Sequence, residues 1–230
     1  MKRFHVLGLA LFAVVVFSAL FAVTASAEVT LLAEWLINGT GVTALTSVTI
    51  TGNIVLVNKA GVGGTPRILC EGSFDGSVGP NGEDEITEIL NTAGEPTSTT
   101  PLMGTPIDCV TLNATLGCGA SGTLAEVWAE NLPWLTNLEL MESGTFLDHL
   151  YKVEGGLQPG YDVHCTGSGT DNLCEALATA LMENMPTEND VLGIFQLGSE
   201  VAPCTIGTGE LEAEGLLTTL SGLPIAVSSE

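Results

Sequence analysis

The chain has 230 residues, of which 27 are acidic and five basic, and carries a formal net charge of −22. So few Lys and Arg exclude nucleic-acid binding through phosphates, and anionic membrane surfaces repel such a chain. Disorder is excluded as well, because disordered acidic chains are poor in aliphatic residues, whereas Leu, Val and Ile recur along this one.

The amino terminus reads as a secretory signal peptide over 1–27. Lys2 and Arg3 precede an uncharged apolar run over 6–23, and Ala25-Ser26-Ala27 supplies the small residues of a cleavage site after Ala27. The run has 18 residues, near the lower bound for a bilayer span, so an uncleaved signal-anchor is the alternative. Cleavage leaves 28–230, read as a single secreted domain with no membrane attachment. Both the leader's charged residues are basic, so its removal takes the net charge from −22 to −24.

Strand-like alternation dominates the chain beyond the leader. Val29, Leu31, Ala33, Trp35 and Ile37 share one face of a first segment, closed by the turn residues 38–41. Val48, Ile50, Ile54 and Leu56 alternate with Thr49, Thr51 and Asn53, and Gly52 among them suggests a bulge. Strand character continues over 67–78, where Gly72 and Gly76 ease the twist. Gly79-Pro80-Asn81-Gly82 is a turn, since Pro presets φ and Asn and Gly accept positive φ. Residues 83–90 fit either a strand or a short helix, and the Thr-, Pro- and Gly-rich stretch 91–106 reads as a long loop. Further strands are expected over 107–112, 123–130, 134–141, 161–165, 191–197 and 209–219, and residues 146–151 fit a strand or a helical turn. Leu173, Leu177, Leu181 and Met185 recur every four residues after the capping candidates Asp171 and Asn172 and before Pro186, which predicts one α-helix over about 171–185. Many short strands with one helix define a mainly β chain, an antiparallel β-sandwich or barrel-like domain.

The six cysteines all lie after the leader, and an even number in an exported chain implies disulfides. Cys109 to Cys118 and Cys165 to Cys174 each enclose eight turn-rich residues. Local bridges Cys109–Cys118 and Cys165–Cys174 are therefore expected, with Cys70–Cys204 left by elimination. No two cysteines stand at zinc-ligand or Cys-x-x-Cys spacing.

Catalytic and cofactor motifs do not appear: there is no His-Glu-x-x-His, nucleophile elbow, P-loop or dinucleotide fingerprint. His149 and His164 read as surface residues, and Trp35, Trp128 and Trp134 as core anchors. Two acidic groups offer weak Ca2+ candidates. Glu210, Glu212 and Glu214 line one strand face, and Asp75, Glu83, Asp84 and Glu85 surround the Pro80 turn. Asn38-Gly39-Thr40 and Asn113-Ala114-Thr115 are glycosylation sequons. With no catalytic or cofactor residues assigned, the reading is a secreted, acidic, disulfide-containing module that binds an extracellular or cell-envelope ligand or serves as structure. A secreted hydrolase using paired carboxylates, glycosidase-like, and a Ca2+-dependent adhesion module are the alternatives.

Overall fold

The computed structural model describes residues 33–59, 65–97, 105–115, 118–151, 158–166, 169–176, 178–185, 190–195 and 202–229. The expected signal peptide 1–27 with its expected cleavage point Ala27, the centre of the loop 91–106, Leu177 and Pro186 lie outside the described residues.

The alternating segments form strands: β1 Ala33–Ile37, β2 Thr40–Gly41, β3 Thr46–Lys59, β4 Arg67–Val78, β5 Glu83–Leu90, β6 Ile107–Thr111, β7 Leu124–Glu130 and β8 Trp134–Leu140. They continue as β9 Phe146–Tyr151, β10 Gly160–Cys165, β11 Thr170–Glu175, β12 Ala178–Met185, β13 Asp190–Phe195, β14 Ala202–Pro203, β15 Thr208–Thr219 and β16 Ile225–Ser229. The ambiguous segments 83–90 and 146–151 are both strands. The turn between β4 and β5 is a single 3-10 turn, Pro80–Gly82, in which Asn81 takes φ 59°.

The expected helix over 171–185 is not formed; β11 and β12 occupy it. A repeat of four is also a multiple of two, so the same leucines lie on one face of a strand as readily as on one face of a helix. Leu173 and Leu181 do not take the core face. Ala178, Ala180 and Met182 are buried, while Leu173 is half exposed.

Eight antiparallel strands close into a barrel in the order β4-β3-β15-β13-β12-β9-β8-β5, with β5 returning to β4. Closure turns one phase of every strand inward. Val48, Ile50, Ile54 and Leu56 of β3 face the lumen, as do Leu211, Ala213 and Leu217 of β15 and Trp134, Thr136 and Leu138 of β8. A small sheet of β16, β1 and β2 stoppers one end. Its Ala33, Trp35, Ile225 and Val227 pack against Val48, Val78, Leu138, Met182, Val191 and Leu217. The Asn184 amide locks the stopper to β12, accepting from the Val227 amide at 2.8 Å and donating to the Val227 carbonyl at 2.9 Å.

The other end is roofed by a wing. β4 changes partner along its length: Ile68–Cys70 pair with β6, and Ser73–Val78 pair with β5. From β6 the sheet runs through β7 and β10 to β11, whose Cys174 bridges back to Cys204 next to β14, which in turn pairs with β15. Ile107, Val127, Ala129 and Tyr161 of the wing face down into the same lumen.

All three disulfides staple this wing, and none has the pairing expected from spacing: they are Cys70–Cys109, Cys118–Cys165 and Cys174–Cys204. Strand register explains the correction. In the β10–β11 hairpin, Cys165 stands opposite Thr170 and Cys174 opposite Tyr161, four residues apart along the strands, or about 13 Å, beyond the reach of a disulfide. Cys70 and Cys109 are direct cross-strand partners, with Cα atoms 4.2 Å apart. The bridges span 39, 47 and 30 residues, and each restricts the unfolded chain by about 4 kcal/mol in the loop-entropy view.

A row of glycines crosses four neighbouring strands: Gly72, Gly52, Gly215 and Gly193 stand side by side. Gly52 is not a bulge, since its register with both neighbours is continuous; the irregularity falls at Asp75/Gly76, opposite Thr87. The row marks where the backbones bend too closely for side chains. A Cβ on Gly52 would run into the Glu214 carbonyl oxygen, and one on Gly215 would lie 2.6 Å from Ile50 Cγ2. Gly52→Ala is expected to lower stability by at least about 2 kcal/mol, and outward-facing Thr51→Ala by under about 1 kcal/mol. Urea unfolding of the two variants tests the row; equal losses would contradict it.

Candidate functional site

Between stopper and wing the lumen holds a cavity of about 120 Å3. Its walls are mostly aliphatic and aromatic: Ile54, Leu56, Phe74, Ile86, Ile89, Leu150, Trp35, Trp134 and Tyr161 are among them. Glycine contributes too, since Gly52, Gly76 and Gly215 line the cavity and put no side chain into it.

Three polar side chains share this inward phase. Asp84 precedes Ile86 on β5, Thr136 lies between Trp134 and Leu138 on β8, and Asp148 lies between Phe146 and Leu150 on β9. The indole Nε1 of Trp35 donates to Asp84 Oδ1, and Thr136 Oγ1 donates to Asp84 Oδ2 at 3.1 Å. Asp84 and Asp148 lie close enough to act on each other's ionisation, and a bond between two carboxyls requires a proton between them. Asp148 Oδ1 is buried and has no partner.

Burial dominates the electrostatics of the pair. Desolvation lifts the Asp84 carboxyl well above the usual carboxylate range and the neighbouring Asp148 charge lifts it further, against the bonds from Trp35 and Thr136. Desolvation also pushes Asp148 up, to about 7, with the bonds to Thr136 and Asp84 holding it down. Two carboxyl groups in contact cannot both ionise cheaply, so the pair retains a proton well above the pH at which a free aspartate loses it. No lysine, arginine or histidine among the described residues lines the cavity to neutralise the pair.

Of the residues singled out in the sequence, Asp84, Trp35 and Trp134 reach the lumen, and the remaining acids and the histidines do not form a site with them. Asp84 belongs to the lumen rather than to a Ca2+ cluster with Asp75, Glu83 and Glu85, because strand alternation turns it away from its two neighbours. Glu85 accepts from Ser77 Oγ at 3.1 Å. Glu210, Glu212 and Glu214 do share the outer face of β15, but Lys59 pairs with Glu210 and Arg67 Nη2 with Glu212 at 2.7 Å. Among the described residues, no group of three or more His, Cys, Asp or Glu is placed to hold a metal ion. His149 points outward from Asp148, with Nδ1 2.9 Å from Thr179 Oγ1, and His164 pairs with Asp171 on the outer face of the wing. The Asn113 sequon amide is engaged with the backbone of Arg67 and Thr65, whereas Asn38 is exposed at a hairpin tip.

Clusters of acids along the chain do not reveal the aspartate pair, whose members lie on different strands. The signal that finds it is an acid in the apolar phase of a strand, and Asp148 between Phe146 and Leu150 carries it plainly. No family model, no curated protein and no solved structure matches the chain.

The raised Asp148 sets a pH dependence. The native state holds a proton that the unfolded chain releases near pH 4, so this contribution to stability is complete in acid and is lost as pH rises through about 7. Each of the two raised carboxyls contributes about 1.4 kcal/mol per pH unit to the slope within that window. Asp148→Asn, whose amide donates where the shared proton did, is expected to flatten the slope and to raise the melting temperature at pH 8. Thermal melts of both proteins from pH 4 to pH 8 test this; parallel curves would contradict it.

Proposed function

We propose that this protein is an exported β-barrel that binds a small, largely apolar ligand in its lumen, without catalysing a reaction. The observation that carries the reading is the cavity itself, apolar in its walls, glycine-lined at its bend and fitted with a small set of convergent polar groups. Ligand sites in barrels have this make-up: mostly apolar lining, with a few placed polar groups for orientation. At about 120 Å3 the space is slightly smaller than an engineered apolar cavity of about 150 Å3 that holds benzene, so the ligand is the size of a single ring or a short branched chain.

Two further observations support an exported, water-facing barrel. Three disulfides mark a protein that matures in an oxidising compartment. Glu139, His149, Glu183, Glu212 and Glu214 take the outward phase, where a membrane-spanning barrel carries apolar residues. Among the described residues, no helix is long and apolar enough to cross a membrane. The glycosidase-like alternative draws no support from the pair, because carboxyl groups in direct contact leave no room for a sugar between them; retaining and inverting enzymes hold theirs about 5 to 9.5 Å apart. The adhesion alternative draws none from the acids of β15, two of which are paired with Lys59 and Arg67.

Saturating ethylbenzene is expected to raise the melting temperature of the full chain and to quench or shift the emission of Trp35 and Trp134. Ala178→Leu, which places three more carbons in the wall, should abolish both effects while the protein still melts cooperatively. Identical responses in the two proteins would contradict binding in the lumen.

A further inference from the structure

We infer that the lumen selects a small apolar amine, its ammonium group seated against Asp148 and Asp84 and its hydrocarbon body against the aliphatic wall. This rests on the lumen being a ligand site, as proposed above, and adds the chemical class of the ligand.

Hydrogen bonding at the pair is incomplete. Asp84 has both oxygens occupied, by Trp35 Nε1 and Thr136 Oγ1. Asp148 lines the cavity and keeps one oxygen, Oδ1, buried without a donor. An unpaired buried acceptor is costly, and native proteins leave few of them, so the site is short of one donor. A ligand lacking an N–H or O–H leaves that deficit in place.

Charge narrows the donor further. Two carboxyls sharing one proton carry one negative charge, and no described residue supplies a compensating cation there. Of its basic residues, Lys59 and Arg67 are described, and both are committed to glutamates on the outer face of β15. An ammonium group supplies a donor and the missing positive charge together, and charge-assisted bonds to a carboxylate are about twice as strong as neutral ones. Trp35 and Trp134 stand in the same wall, and indole faces attract cations. An anionic ligand would meet the pair's own charge with no guanidinium or ammonium to receive it, so carboxylic and phosphoric acids are excluded from the lumen.

The test compares benzylamine, benzyl alcohol and ethylbenzene, which have the same number of non-hydrogen atoms, by calorimetric or NMR titration of the full chain at neutral pH. Benzylamine is expected to bind at least tenfold more tightly than either of the others. Asp148→Asn and, separately, Asp84→Asn should erase that preference, bringing the benzylamine and ethylbenzene affinities within about threefold of each other; melting curves establish that each variant is folded. Ethylbenzene or benzyl alcohol binding as tightly as benzylamine would overturn the inference and leave the lumen as a ligand site. Absence of binding by all three would overturn the lumen reading itself. A benzylamine preference surviving in both variants would place the amine on the acidic exterior, and would overturn the inference as well.

Discussion

A sheet that closes on itself leaves its inward side chains no outlet. In this protein the closure is made by β4, which pairs with β6 over its first residues and with β5 over its last, and by the glycines that let four adjacent strands bend at one level. The stopper and the wing then cover the two ends. Every group in the inward phase must be apolar, or find its partners inside, because bulk water is not there to provide them. The character of Asp84, Thr136 and Asp148 derives from that constraint. The same carboxyls at the outward positions of Glu212 and Glu214 would be ordinary solvated acids.

Stability is divided between the two parts of the molecule. The barrel and its stopper are held by aliphatic packing around Val48, Val78, Leu138, Val191 and Leu217. The wing's core is rich in alanine and cystine, and all three disulfides lie within it or tie it to β4 and β14. Covalent stapling of the wing keeps the roof over the lumen. The lumen in turn is the part where stability is given up: a pair of inward-facing acids, one with a buried, unpartnered oxygen, is a cost that apolar replacements would remove.

Much of the fold is legible in local alternation. The strand over 67–78 has the bounds that its residue pattern predicts, and the inward phase of β3 is the one that Val48, Ile50, Ile54 and Leu56 define. Non-local facts are less visible. Spacing along the chain suggests the hairpin bridges Cys109–Cys118 and Cys165–Cys174, but pairing is decided by which strands become neighbours: β6 lies between β4 and β7, with Cys109 opposite Cys70 on one side and Ala125 on the other. Periodicity over 171–185 has the same weakness: a four-residue repeat does not separate helix from strand, and the alanines at 178 and 180 that mark the buried face are too small to register as an apolar stripe. The glycine row is invisible for a related reason. Gly52, Gly72, Gly193 and Gly215 are scattered along the chain and become a row only when register is known.

The site is partly legible, one residue at a time. Asp148 in the phase of Phe146 and Leu150, and Thr136 in the phase of Trp134 and Leu138, are each a polar residue on an apolar face. Alternation alone does not say that β5, β8 and β9 bring Asp84, Thr136 and Asp148 together, because strand order is a property of the closed sheet. The central claim is that this pair shares a proton inside the lumen. Carbon-13 NMR of the aspartate carboxyls, followed from pH 3 to pH 9, tests it most directly. A shared proton predicts that Asp84 and Asp148 titrate together, with at least one carboxyl still protonated at about pH 6, where free aspartates are fully ionised. Both carboxyls titrating independently near pH 4 would contradict it.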